Sequence, residues 1–161
     1  MTHEIVQYHN DFNTVPLRDF NERERRILMT LIHQIKNKDT EIVQMDFETL
    51  RFLSGWDSKK GKRPKSEFVD YLERLSLKTG KLQGVLRSPD GLQRIIFNLF
   101  STFIIDSKKS DTLKVRINPD FKYLTNVFDA FTAFELEDYN RMNTSYGQEL
   151  YRLIKQFRTT G

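Results

Sequence analysis

A chain of 161 residues with 38% hydrophobic and 30% charged side chains fits one soluble domain able to bury a core without staples. It contains no cysteine, which excludes a disulfide framework, a thiolate zinc site and a cysteine nucleophile and fits a reducing cytoplasm. No apolar run approaches the roughly 20 residues that span a bilayer, the N-terminal residues lack a signal-peptide pattern, and the net charge of +4 permits nucleic-acid binding without demanding it.

In chain order, a first helix is predicted from Asn21, where Asn21 and Glu24 have capping-box spacing. Ile27, Leu28, Leu31, Ile32 and Ile35 give that helix one buried face. Glu41 to Met45 reads as a short strand. Asp46 caps a short helix that ends at Gly55. Lys59 to Lys65 is a basic loop, and Ser66 caps the next helix, which buries Phe68, Tyr71, Leu72 and Leu75 and places Gly80 just past its end. Lys81 to Arg87 and Leu92 to Ile105 then read as two strands joined by a Ser-Pro-Asp-Gly turn, the second long and apolar on both faces. Lys108 to Asp111 makes a polar turn, and Leu113, Val115 and Ile117 alternate onto one face of a further strand. A short helix over Asp120 to Thr125 and an extended piece over Phe131 to Leu136 follow. The last helix, Ser145 to Arg158, carries Tyr146, Leu150, Leu153, Ile154 and Phe157 on its apolar side. The whole is an α+β winged helix: a helix-turn-helix, a long β-hairpin wing and additional C-terminal helices, in a single domain over residues 1–161.

Charge is polarised along the chain. Residues 57–87 hold nine Lys or Arg against four acids, whereas residues 118–141 hold five acids against two bases. Cations gathered on a loop before a candidate recognition helix would displace counterions from a phosphate backbone. The candidate DNA-binding residues are Lys59, Lys60, Lys62, Arg63 and Lys65, supported by Arg74, Lys78 and Lys81. Glu67, Asp70 and Glu73 on the same helix repel phosphate, which favours backbone contact over base reading. The long hairpin needs a cover on its second face, and a second copy of the chain is the expected one, through Phe97, Leu99, Phe103, Ile104, Leu113 and Val115.

Catalytic patterns are absent. His3, His9 and His33 have no metal-ligand spacing, no glycine pattern cradles phosphates, and the acids form no recognisable pair. Tyr151 reads as a packing residue and Trp56 as an anchor between helices. No catalytic residue, metal or cofactor is expected.

Four segments together resemble a known family: Gln7 to Asn13, Asn21 to Leu28, Phe128 to Leu136, and Tyr146 to Gly161 with its Leu-Tyr-Arg-Leu-Ile-Lys-Gln-Phe-Arg motif. They are similar to the iteron-binding initiator replication (Rep) proteins of plasmids. The resemblance implies the first of two winged-helix domains, in a cytoplasmic protein that binds double-stranded DNA at origin repeats and at an operator. It implies a homodimer formed largely through the hairpin, phosphate contacts from this domain, host replication proteins as partners, and no membrane. The alternative is a protein-interaction module that self-associates through its hairpin without touching DNA.

Overall fold

The structure is a computed structural model, and it describes residues 4–57, 63–86, 93–126, 130–142 and 144–160, with side chains as far as residue 157. Strand β1 (Ile5–His9) leads through a 3-10 turn into α1 (Glu22–Ile35), then β2 (Val43–Asp46), α2 (Phe47–Leu53) and α3 (Lys65–Lys78). After a second 3-10 turn come β3 (Leu82–Gly84), β4 (Ile95–Phe97), β5 (Phe100–Asp106) and β6 (Thr112–Ile117). A turn at Pro119–Leu124 precedes β7 (Phe131–Glu135), α4 (Leu136–Asn140) and α5 (Ser145–Thr160).

The winged helix is formed by α1, β2, α2, α3, β5 and β6, with the three strands in the order β2-β6-β5. Its start and stop signals are local. Asn21 and Glu24 close the capping box on α1 at 2.8 Å each way. Asp46 accepts from the Thr49 hydroxyl and from the Thr49 N–H at the start of α2, and these bonds, the hydroxyl's first, hold its carboxyl below the ordinary carboxylate range. At the end of α2, Gly55 takes φ +68°, its N–H donates to Phe52 and the Trp56 N–H donates to Arg51. That is a Schellman stop, and it needs the left-handed backbone that glycine supplies.

Helix α1 is the centre of the domain. Nine of its fourteen residues are buried, Glu24, Arg25, Met29 and Thr30 among them, and none is exposed. The predicted single buried face is therefore an understatement: neighbours cover the helix all round. β1, which no local pattern in the sequence announces, pairs with β7 in a two-stranded clasp from Ile5↔Glu135 to His9↔Phe131. Val6, Tyr8, Thr132 and Phe134 turn inward from it.

The long predicted hairpin is two separate structures. β3 pairs with β4 over three residues each, while β5 pairs with β6, which in turn pairs with β2. The break falls at Asn98 and Leu99 because Leu99 and Phe100 are consecutive and both buried. A strand sends successive side chains to opposite faces, so the chain must bend there to bury both. The Leu99 N–H bonds to Thr79 and its carbonyl accepts from Asn118. The wing is thus the β5–β6 hairpin, and β3–β4 is an insertion ahead of it. The start of α3 also differs slightly: Pro64 occupies the cap without a side-chain bond and Ser66 lies inside the helix.

Candidate nucleic-acid interface

The base of the cationic loop is fixed from below. Arg51, almost fully buried, donates to the Asp57 carboxylate at 2.7 Å and to the Arg63 carbonyl at 2.5 Å. Asp57 also accepts from the Arg63 N–H at 3.1 Å. One guanidinium thereby ties together the two ends of the loop. Trp56 is buried edge-on against Phe68 and Tyr71 of α3, with the Arg63 guanidinium 5.6 Å over its ring. It anchors the α2–α3 turn as expected. Lys59, Lys60 and Lys62 lie outside the described residues.

At the first turn of α3, Arg63 pairs with Glu67 at 2.6 Å. Lys65 reaches across to the wing, bonding the Asp111 carboxylate and the Ser107 carbonyl at 3.0 Å each. The wing tip is built around Asp106, which accepts from the Lys108 and Lys109 N–H groups and from the Ser110 hydroxyl. These bonds hold its carboxyl below the ordinary range. Lys108 and Lys109 stand exposed on that tip. The same turn is tied to the start of α2 by the Phe47 N–H donating to the Asp111 carbonyl at 2.9 Å. The Lys65 bridge therefore ties the start of α3 to a wing tip that carries two exposed lysines.

The other predicted cations lie elsewhere. α3 has fourteen residues and is about 20 Å long at 1.5 Å per residue. Arg74 sits toward its later half over the Tyr71 ring at 4.5 Å. At its far end Lys78 binds Glu24 and the Asp19 carbonyl, each at 2.7 Å. Lys78 and Lys81 line a cleft of about 550 Å3 together with Arg18 and Arg94. The five described candidates are therefore split, Arg63 and Lys65 at the start of α3 and Arg74, Lys78 and Lys81 toward or past its end, with Asp70 and Glu73 exposed along the helix. Lys108, Lys109, Arg18 and Arg94 are absent from the sequence-based candidates. For the wing, the available signal is the Lys-Lys pair in a turn between strands, and reading the hairpin one strand too early obscures it.

The candidate dimer residues also separate. Phe97, Leu99, Leu113 and Val115 are buried in this chain's own core, so they do not form an outward surface. Leu113 and Val115 face inward by strand alternation, and Phe97 and Leu99 flank the bend. Phe103 is half-buried beside Phe100. Ile104 alone of the six is exposed, opposite Lys114.

Among the described residues no three His, Cys, Asp or Glu side chains gather as a metal site. His33 pairs with Glu4 at 2.7 Å, a tie between α1 and the segment before β1. Burial, with Lys36 nearby, keeps its pKa below the ordinary value despite Glu4. Tyr151 packs edge-on against Phe134. No helix of the described residues is long and apolar enough to cross a membrane.

Residues 5–155 match the family described as "Initiator Replication protein, WH1". The chain is 30% identical over its whole length to "Probable replication protein rep" of Bifidobacterium longum (strain NCC 2705), and it spans 52% of that relative. Among solved structures it is similar to a Pi initiator protein crystallised in complex with iteron DNA. The TM-score is 0.69 at 15% identity, covering 97% of this chain and 65% of that one, and this likeness supports the fold. The matched family, the relative along the full chain and the winged-helix topology agree, and the chain belongs to the initiator replication protein family, as its WH1 domain.

Proposed function

We propose that this chain is the first of two winged-helix domains of a plasmid replication initiator, and that it grips duplex DNA by its phosphates without reading bases. The observation that carries the reading is the Lys65 bridge, which joins the start of α3 to a wing tip bearing Lys108 and Lys109. Lys59, Lys60, Lys62 and Arg63, which precede α3 in the sequence, add the positive charge that a phosphate backbone would attract. Exposed Asp70 and Glu73 are poor partners for the acceptor groups that dominate most base edges. The solved initiator of the same fold is in complex with iteron DNA, which supports the same ligand here. The domain acts in the cytoplasm without catalysing a reaction, in a protein that forms homodimers and engages host replication proteins.

A second reading has its own support. Arg63, Lys65 and Lys78 are each already paired with a carboxylate of the chain, which lowers what each has to offer DNA. In that reading the domain is a protein-interaction module with a solvated basic loop. A gel-shift titration of the chain on unrelated duplexes across salt separates the two. Phosphate gripping gives binding of similar strength on each duplex that falls steeply and linearly in log–log form with salt. No binding at low salt would sink it.

A further inference from the structure

Helix α5 is docked with its faces reversed. The apolar stripe, which the sequence would bury, is outside: Tyr146 is 78% exposed, Phe157 69%, and Leu150, Leu153 and Ile154 between 43% and 47%. The buried positions are Gln148 and Arg152. Arg152 donates to the Tyr8 hydroxyl at 2.9 Å, the Phe12 carbonyl at 3.0 Å and the Glu149 carboxylate at 3.0 Å. Gln148 donates to the Glu22 carbonyl, Asn13 donates to Gln156, and Arg25 donates to the Ser145 carbonyl. Rolling α5 to hide its stripe would pull a buried guanidinium off its acceptors on Tyr8, Asn13 and Phe12, so the polar clamp locks the apolar face outward.

A displayed stripe of this kind marks an interaction surface. Its extent decides among occupants. Residues 146–157 span about 17 Å of helix at 1.5 Å per residue, so with a face about 10 Å wide the footprint is on the order of 200 Å2. A stable complex between free copies needs roughly 800 Å2 from each partner. A unit tethered to the same chain needs much less, because linkage supplies an effective concentration near the millimolar range. The relatives carry such extra chain: this one spans 52% of the Bifidobacterium longum protein and 65% of the solved initiator, and the matched unit is designated WH1. We infer that the α5 stripe is the seat on which the second domain of the initiator packs, fixing the angle between the two DNA-binding units. This rests on the two-domain reading above.

The absence of cysteine provides a clean test. Ile154→Cys creates one thiol, whose maleimide labelling is followed in this chain alone and in this chain joined after Gly161 to the remainder of the Bifidobacterium longum relative. Labelling should be fast in the chain alone and about tenfold slower in the joined protein if the face is covered nine-tenths of the time. Equal labelling in a joined protein that binds duplex DNA more tightly than the chain alone would overturn the seat and leave the two-domain reading standing. Equal labelling with no gain in DNA binding would count against both. Slow labelling of the chain alone, with doubled molar mass, would make a second copy the occupant and overturn the proposal. The chain alone carrying Leu150→Lys with Ile154→Lys should melt within about 3 °C of the unsubstituted chain. A large drop in melting temperature would show that the stripe is buried inside this domain, which also overturns it.

Discussion

Helices α1 and α5 carry equally clear apolar stripes and have opposite fates. α1 buries its stripe together with Glu24, Arg25 and Thr30, and α5 buries Gln148 and Arg152 and displays its stripe. Periodicity establishes that a helix has an apolar face. Whether that face is covered depends on whether the rest of the chain supplies a better set of partners for the opposite face. For α5 it does, through Tyr8, Phe12, Asn13 and Glu22.

The largest test of that contrast is Arg152→Ala. It leaves the Tyr8 hydroxyl and the Phe12 carbonyl without their buried donor and should cost about 3–5 kcal/mol by denaturant unfolding. Leu31→Ala in α1 should cost about 2–5 kcal/mol, since its side chain is fully enclosed. Asn21→Ala removes one half of the α1 capping box and should cost about 1 kcal/mol. Ile154→Ala, a truncation on α5 similar to that of Leu31, should fall within about 0.5 kcal/mol of the parent. A cost for Ile154 near that for Leu31 would erase the distinction between the two helices.

The smallest effect is pH-dependent. His33 on α1 has its pKa lowered by burial first and by Lys36 second, so the folded state resists its protonation. The unfolded chain then binds more protons as pH falls below the ordinary value of 6.5, and stability declines with acidification from that point toward the folded pKa. His33→Gln should flatten this part of the stability–pH curve, measured by thermal melting. An unchanged slope would assign the dependence to another group.

What was legible in the sequence was whatever is decided within a few residues. The Asn21 box, the Asp46 cap, the Gly55 stop and the alternation of Leu113, Val115 and Ile117 all appear where expected. What was not legible depended on distant pairing. The β1 strand exists because β7 arrives more than a hundred residues later. The apparent hairpin from Lys81 to Ile105 is split because Leu99 and Phe100 must both be buried, which moves the wing to Lys108 and Lys109 and encloses four of the six residues expected at a dimer interface. The proposed DNA-facing surface was half visible. Its loop could be read from the run of lysines, but its joining to the wing required the Lys65 bridge to Asp111.

That joining is the central claim for function, and the salt dependence of DNA binding by Lys108→Ala with Lys109→Ala tests it most directly. If the wing tip and the loop grip one phosphate backbone, affinity should fall alike on unrelated duplexes. The slope of log K against log salt should become shallower by about 0.9 for each phosphate that the wing no longer neutralises, or about 1.8 for the two lysines together. Affinity and slope indistinguishable from those of the unsubstituted protein would contradict the account.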